Sequence, residues 1–379
     1  MIQESITPCS YFCKYQFLDE QLMKYIGSNQ TVNLYFDTKN VLSSLHNPSE
    51  QASLIHQYNS SADKYVVART IIVLANHWMR YFKKRNIACN IFFFDERGNS
   101  VYHNSHNRDY KSNRQTSKQR IASDLFLEDD FYEKFYLVYD KNIAVISNIF
   151  KILNGLFYIR LKDLESDFIP KLIINEYFTS NGKMDTNYMH IIVSNDKDFV
   201  QILDNNNTLQ IVRIMKEKTF EIRSSMNGMY KFTGVDDDLK DNRFVPLLLS
   251  MAGDTADNVK GLSGLGYKTG YKYINKLYKD KIITEDDYHP TKFINKINEY
   301  KKINPSYLND LTTTKILSNT KLLEENYKLT SFKEIMNWLS YDQKKKILKQ
   351  LEKVNSNDQE RSNYLSQLCN TTTSYDFLL

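Results

Sequence analysis

Short β-rich runs that end in aspartate constrain the fold of this chain more than any other feature. The runs are TVNLYFD ending at Asp37, ACNIFFFD ending at Asp95, and HIIVSNDKD ending at Asp196 and Asp198. Longer helical patterns lie between them, at residues 62–85 and at about 163–178. Strands that alternate with helices predict an α/β fold with a mainly parallel sheet. Because ligands bind beyond the carboxyl ends of such strands, we expect these aspartates to line a binding site.

The pattern changes along the 379 residues, a length that allows one large domain or two to three small ones. From about residue 240 the strands give way to short helices, and the last hundred residues are rich in Lys, Glu and Asn. We therefore predict an extension at 1–30, an α/β body at 31–240 and a helical region at 241–379.

The composition excludes several classes of protein. Hydrophobic residues make up 41% of the chain, enough for a sizeable core, but no run approaches the ~20 apolar residues of a membrane span. We therefore expect no membrane partner. Four scattered cysteines and the lack of an apolar signal core favour reduced thiols and a cytoplasmic protein. The net charge of +5 permits a polyanionic partner without demonstrating one.

Closely spaced acids recur outside the strand ends. Glu165 and Asp167 lie in LESDF, and Asp254 and Asp257 lie in AGDTADN. Any one such pair is more often a solvated loop or a helix cap than a site. Several pairs together indicate hard divalent cations, since Mg²⁺ prefers oxygen ligands and binds through one or two carboxylates. Two such ions can activate water and stabilise the leaving oxygen of a phosphodiester.

A basic segment at residues 101–120 follows the strand that ends in Asp95. A solvated helix face or loop is an equally good interpretation of such a segment in isolation. Next to an acidic metal site, however, the cations of this segment could hold a phosphate, and Tyr110 could stack on a base. The candidate nucleic-acid contacts are Arg108, Tyr110, Lys111, Arg114 and Lys118.

Glycine is scarce, yet five of the eleven glycines fall within residues 253–270. In GLSGLGYKTGYKYI, Gly264 and Gly266 precede a predicted amphipathic helix that bears Lys268. Such a turn exposes backbone N–H groups at a helix N-terminus, to which lysines add positive charge. The glycine order is that of neither a Rossmann nor a Walker motif, so a clamp on a nucleic-acid backbone fits the turn better than a nucleotide site.

The stretch AGDTADNVKGLSGLGYKTGYKYI resembles the signature of the 5′ nuclease (flap endonuclease) superfamily. The resemblance extends to NLYFD at 33–37, to residues 92–114, to LESDF at 164–168 and to VSNDKDF at 193–199. These motifs occur in family order over about residues 31–280. The chain is most similar to the flap endonucleases and ribonuclease H of tailed phages and to the 5′ nuclease domain of bacterial DNA polymerase I.

The resemblance implies a PIN-like α/β nuclease with a helical arch at about 101–150 and a helix-three-turn-helix. It also implies two Mg²⁺ ions, for which Mn²⁺ can substitute, and a K⁺ ion on main-chain carbonyls near the Gly264–Gly266 turn. Lys111 and Arg114 would engage the scissile phosphate, and Gly264, Gly266 and Lys268 would grip duplex DNA. The implied metal ligands are Asp37, Asp95, Glu165 and Asp167 for one ion, and Asp198, Asp254 and Asp257 for the other, with Asp196 close to both.

One position departs from the phage and bacterial pattern. Phe168 stands where a further acid usually follows, so altered metal binding is the expectation. The resulting hypothesis is a monomeric, Mg²⁺-dependent 5′ nuclease that acts on branched or 5′-ended DNA or RNA–DNA hybrids beside replication proteins. Two alternatives stay open: a structure-specific DNA-binding protein without catalysis, and a PIN-like ribonuclease that cuts single-stranded RNA.

Overall fold

A six-stranded sheet forms the centre of the protein, in the spatial order β3-β2-β1-β6-β7-β8. The computed structural model describes residues 16–45, 65–113, 130–203, 205–214 and 219–354, together with Gln359 and Asn363. The strands of this sheet are β1 (Thr31–Asp37), β2 (Cys89–Arg97), β3 (Leu156–Lys162), β6 (Tyr188–Val193), β7 (Thr208–Ile214) and β8 (Thr219–Arg223). Two further two-stranded sheets pair β4 (Thr179–Ser180) with β5 (Lys183–Met184), and β9 (Gly253–Asp254) with β10 (Val259–Lys260).

The sheet is parallel except at one edge, where β8 runs antiparallel to β7. Strand β1 lies between β2 and β6: the strands that follow it in sequence, β2 and β3, extend to one side, and β6 and β7 extend to the other. The carboxyl end of β1 is therefore a topological switch point, where ligands bind in sheets of this class. The predicted α/β class with a mainly parallel sheet is confirmed.

Helices flank the sheet and make up most of the chain after residue 240. In the body they are α1 (Gln16–Met23), α2 (Thr38–Leu45), α3 (Val66–Lys83), α4 (Val101–His106), α5 (Phe131–Phe150), α6 (Ile169–Tyr177) and α7 (Gly228–Thr233). After it come α8 (Val245–Ala252), α9 (Tyr267–Lys279), α10 (Pro290–Ile303), α11 (Leu311–Ser318), α12 (Thr320–Thr330), α13 (Phe332–Trp338) and α14 (Tyr341–Leu348). Short 3₁₀ helices cover Lys197–Ile202, Asn242–Phe244 and Lys349–Leu351.

Apolar side chains cover both faces of the sheet. On one face, Phe36 stacks on Phe93 with ring centroids 5.0 Å apart, and α3 and α5 close the layer with Trp78 and Phe150. Full burial of side chains this large contributes roughly 1.5–3 kcal/mol each relative to exposure. Leu22 of α1 is fully buried in the same cluster, so the described part of the predicted extension packs against the body.

The opposite face joins the body to the C-terminal helices. Phe94 and Phe199 of the body share one buried cluster with Phe332 and Ile335 of α13. A further cluster joins Val200 and Leu203 of the body to the helical region and includes Leu248 and Ile274, on the helices α8 and α9 that flank the glycine-rich loop. Among the helices that the structure describes, none is long and apolar enough to cross a membrane.

Candidate active site

Acidic side chains converge at the carboxyl ends of the central strands, as the switch point leads one to expect. They come from β1, from β2, from the loops after β3 and β6, and from the β9–β10 loop. We call this set the acid cluster; its members are Asp37, Glu96, Glu165, Asp167, Asp196, Asp198, Asp254 and Asp257.

The Ser194 hydroxyl links Asp37 and Asp196 at the ends of β1 and β6. Its Oγ donates a hydrogen bond to Asp37 Oδ2 at 3.2 Å and accepts one from the Asp196 backbone N–H at 3.1 Å. The side chain of Gln210, buried on β7, donates to the carbonyl oxygens of Ser194 and Asp196 at 3.0 and 2.5 Å. Gln210 thus fixes the loop that presents Asp196, a role that no sequence motif signalled.

At β2 the structure places Glu96, and not the predicted Asp95, beside the other acids. Asp95, at 1% exposure, lies on the opposite face of the sheet, where it accepts a hydrogen bond from Tyr139 at 2.9 Å and lies 3.4 Å from Arg160 Nε. The next residue, Glu96, joins the acid cluster and pairs with Lys39 at 3.2 Å. The reason is the pleat: successive side chains of a strand point to opposite faces, and β2 continues beyond Asp95 to Arg97.

The loop after β3 supplies Glu165 and Asp167, and Phe168 follows them with a different orientation. Phe168 is fully buried in the apolar cluster that contains Phe199. Its side chain therefore packs in the core instead of facing the acids. An acid at position 168 would point into this core and not into the acid cluster, so phenylalanine here costs the cluster no carboxylate.

On the other side of the cluster, Lys197 links two acidic elements. Its ammonium lies 2.9 Å from Asp254 Oδ2 and donates to Tyr267 Oη at 2.8 Å, which joins the 3₁₀ helix that carries Asp198 to the β9–β10 loop and to α9. No sequence motif singles out this lysine, which lies between Asp196 and Asp198.

The start of the basic segment reaches into the acid cluster. Tyr110 Oη lies 3.1 Å from Glu165 Oε2 and 3.0 Å from Asp257 Oδ2, so its one proton is shared between them. The Lys111 ammonium donates to Glu165 and lies 3.6 Å from Asp257 Oδ2. These two residues therefore bridge acids from opposite sides of the cluster. One face of the Tyr110 ring stacks on His103 at 4.4 Å, so that face is not available for stacking with a base.

Backbone contacts fix this turn on the β9–β10 loop. The Lys111 N–H donates to Asp257 O at 2.9 Å, Asn113 Nδ2 donates to Thr255 O at 2.8 Å, and Asn258 Nδ2 donates to Asp109 O at 2.9 Å. Lys111 has a φ of 57°, a left-handed conformation that is uncommon for lysine and costs of order 1 kcal/mol or more. The surrounding hydrogen bonds hold that conformation.

His103 positions the tyrosine from behind and was not singled out from the sequence. It is 1% exposed, and burial lowers its pKa, which keeps the imidazole neutral. Tyr102, His103 and Gln201 each donate a side-chain hydrogen bond to a carbonyl of the last turn of α12, where helical carbonyls lack partners within the helix. The pairs are Tyr102 Oη with Lys328 O at 2.7 Å, His103 Nε2 with Leu329 O at 3.1 Å, and Gln201 Nε2 with Thr330 O at 3.1 Å.

Crowding of the carboxylates shifts their titration. Burial, with repulsion from Glu96 and Asp196, raises the pKa of Asp37 to about 7. Burial and repulsion from neighbouring acids also hold the pKa values of Asp167 and Asp198 well above the usual range. Glu96 behaves differently, because Lys39, Ser166 and Lys111 outweigh its burial and lower its pKa.

The donor set fits a hard cation. Among the described residues, no three His, Cys, Asp or Glu side chains are close enough to hold an ion as they are arranged. The acid cluster nevertheless consists of oxygen donors, and Asp198 Oδ1 is buried without a hydrogen-bond partner. Mutual repulsion among buried carboxylates is relieved by divalent cations, for which carboxylate oxygen is the preferred protein ligand.

The remaining predicted site residues lie at the surface or outside the described residues. Arg108 and Lys268 are exposed, and Arg114 and Lys118 fall in the range that the structure does not describe. Gly264 has a φ of 78°, and Gly266 is the N-cap of α9 without a side-chain cap. Gly253 and Gly261 instead allow two backbone segments to touch, because a Cβ on Gly261 would lie 2.1 Å from Ala252 O.

Two curated bacterial proteins are similar to this chain in sequence, whereas no family model matches it. Over 278 residues the chain is 28% identical to a 5′–3′ exonuclease of Mycoplasmopsis pulmonis, covering 71% of this chain and 80% of that protein. Over 183 residues it is 24% identical to DNA polymerase I of Caldicellulosiruptor bescii, covering 48% of this chain and 18% of the polymerase.

Solved structures of bacteriophage T5 nucleases share the fold. A flap endonuclease variant of T5, described as a pseudo-enzyme–product complex with DNA and metal ions, aligns over 90% of this chain and all of its own. The TM-score is 0.53 and the identity is 16%. A T5 5′-exonuclease with bound zinc aligns over 89% of this chain and 98% of its own, with a TM-score of 0.50 and 15% identity.

Proposed function

We propose that this chain, which belongs by fold and by sequence similarity to the 5′ nuclease superfamily, hydrolyses phosphodiesters near the 5′ ends of branched nucleic acids. Its substrates are 5′ flaps or RNA primers that arise in DNA replication or repair. We propose further that it acts as a monomer in the cytoplasm, in the company of replication proteins.

The observation that carries this proposal is the junction between the acid cluster and the basic segment. Tyr110 and Lys111 contact both Glu165 and Asp257, although these two acids come from elements about ninety residues apart in sequence. A segment that merely covered the protein surface would not pair with partly buried carboxylates on both sides. A phosphate that entered here would meet the Lys111 ammonium directly beside the acids.

Divalent cations complete the site in this proposal. Asp37, Glu96, Glu165 and Asp167 would surround one Mg²⁺, in part through its bound water, and Asp198, Asp254 and Asp257 the second, with Asp196 close to both and Mn²⁺ as a substitute. The chemistry that such ions supply when bound is activation of water and stabilisation of the leaving oxygen. The chain's own part is to orient these acids through Ser194, Gln210 and Lys197, and to meet the phosphate with Lys111.

Recognition of duplex falls to the loop between α8 and α9. Its exposed turn at Gly264 and Gly266 leads into α9, where the exposed Lys268 follows one residue after the helix begins. Backbone N–H groups at a helix N-terminus and a nearby lysine suit a DNA phosphate. A ribonuclease of single-stranded RNA would have no use for such a turn, and the buried Phe168 no longer argues for a protein without catalysis.

A panel of 5′-labelled substrates tests the proposal. Purified protein is incubated with flap DNA, nicked DNA, an RNA–DNA hybrid and single-stranded RNA, each with Mg²⁺ and with chelator. We expect Mg²⁺-dependent cleavage near the junction of the flap and slower cleavage of single-stranded RNA. Tight junction binding without any cleavage would favour the binding protein, and a preference for single-stranded RNA would favour the ribonuclease.

A further inference from the structure

A lysine from the C-terminal helical region reaches the glycine turn between α8 and α9. Lys315 of α11 donates a hydrogen bond from Nζ to the Ser263 carbonyl oxygen at 2.7 Å. The same ammonium lies 3.3 Å from the position that a Cβ would occupy on Gly264. The two partners lie 52 residues apart in the chain, so no local sequence pattern indicates this contact.

The surrounding packing delivers Lys315 to the turn. Thr313 of α11 is fully buried; its hydroxyl donates to Asp310 at 2.9 Å and accepts a hydrogen bond from Tyr273 of α9 at 2.7 Å. Ile316, also fully buried, packs in the cluster that contains Leu265 of the turn. Helix α11 is therefore held to α9 through Thr313 and to the apolar cluster at the turn through Ile316, so the backbone on either side of Lys315 is fixed.

An ammonium group and a K⁺ ion interact with a carbonyl oxygen in the same way, because each is a monovalent cation that attracts the oxygen lone pairs. The superfamily resemblance led us to expect K⁺ on main-chain carbonyls at this turn. Here the Ser263 carbonyl already has a covalently tethered cation at hydrogen-bond distance. The residues present therefore do not fit K⁺ at this carbonyl.

We propose that Lys315 is the built-in cation of the turn, so that duplex binding by this chain does not depend on K⁺. An ammonium has three N–H donors, and the bond to Ser263 uses one of them. The others contact a backbone phosphate of bound duplex, next to the exposed N-terminus of α9. The phosphate contact rests on the proposed function, whereas the replacement of K⁺ concerns the turn itself.

Two measurements on the full-length protein test the two statements separately. The first is the dissociation constant for a fluorescent duplex with a 5′ overhang, in EDTA, with KCl or tetramethylammonium chloride at equal ionic strength. We expect wild-type affinities within about twofold of each other in the two salts. Lys315→Met should bind about tenfold more weakly in tetramethylammonium chloride, a loss of about 1.4 kcal/mol, because it lacks the hydrogen bond from a charged group. KCl should restore part of that loss.

The second measurement is the melting temperature without DNA in the same salts. Wild type and the charge-preserving Lys315→Arg should melt equally in both, whereas Lys315→Met should gain stability in KCl. Lys321→Met, which removes a lysine at 89% exposure from α12, is the matched control for loss of charge. Wild-type affinity or melting that requires K⁺ would overturn the proposal, as would Lys315→Met behaving like Lys321→Met. Absence of duplex binding by wild type in every salt would refute the proposed function and the phosphate contact, while the melting comparison would still decide the replacement of K⁺.

Discussion

Neutralising Glu96 should weaken metal-dependent cleavage far more than neutralising Asp95, although the two carboxylates are adjacent in sequence. Glu96 faces Asp37 and Asp167 in the acid cluster, whereas Asp95 contacts Tyr139 and Arg160 across the sheet. Even carboxylates that only orient metal ligands contribute about 10- to 100-fold to metal affinity. For Glu96→Gln we therefore expect the Mg²⁺ concentration at half-maximal cleavage to rise at least about tenfold.

Asp95→Asn is the matched control, since it removes the same charge one residue away. Arg160 keeps its ion pair with Asp140, and the asparagine can still accept the Tyr139 hydrogen bond. We expect little loss in the free energy of unfolding, because burial raises the pKa of Asp95 to about 7 and so already disfavours the charge that the substitution removes. The Mg²⁺ requirement should stay within about twofold of wild type.

The assay is a Mg²⁺ titration of single-turnover cleavage on a 5′-flap substrate, with urea unfolding of each variant in parallel. The unfolding curves separate a folding defect from a metal defect. A large shift in Mg²⁺ requirement for Asp95→Asn together with none for Glu96→Gln would refute the argument from the strand pleat.

Three further predictions follow from individual contacts. His103→Ala should lower kcat by about 10- to 100-fold with little change in KM, because it removes the ring that positions Tyr110; single-turnover kinetics check this, and an unchanged kcat would contradict it. Burial lowers the pKa of His190 to about 3, so the neutral form is favoured in the folded protein. The contribution of neutral His190 to the stability of the folded protein is complete above the unfolded pKa near 6.5, and it is lost as the pH falls towards 3 because the unfolded state binds the proton. Relative to His190→Gln, the free energy of unfolding of wild type should fall by about 2 kcal/mol between pH 8 and pH 5, measured by urea unfolding. Gly261→Ala should destabilise the protein by about 1–3 kcal/mol or more, because its Cβ would meet Ala252 O at 2.1 Å, and thermal melting measures this.

The α/β class was accessible from sequence because each strand is an apolar run with a clear end. The helix at 62–85 was predicted from its apolar spacing, and α3 covers Val66–Lys83 of it. Among the predicted acids, only Asp95 lies away from the acid cluster, and its neighbour Glu96 takes that place. ACNIFFFDER continues apolar to Asp95, so an abrupt end was expected there, whereas the parallel pairing with β3 carries the strand on to Arg97.

The supporting residues could not be found in the same way, because their partners are remote in sequence. Gln210 binds the loop at Ser194 from a neighbouring strand, and His103 binds Leu329 across 226 residues. The motif alone predicts a missing acid at Phe168, because sequence does not reveal that this side chain is buried in the core. The charge and spacing of side chains indicate which chemistry is present, while tertiary packing determines which of them face it.

Cleavage of a 5′-labelled flap by wild type and by Asp196→Asn tests the central claim most directly, namely that the acid cluster is a metal-dependent phosphodiesterase site. We expect wild type to cut near the junction in Mg²⁺, to stop when chelator is added, and to exceed Asp196→Asn by at least about 100-fold in rate. A wild-type protein that cuts no flap in Mg²⁺, or an Asp196→Asn variant that cuts at the wild-type rate, would contradict the account.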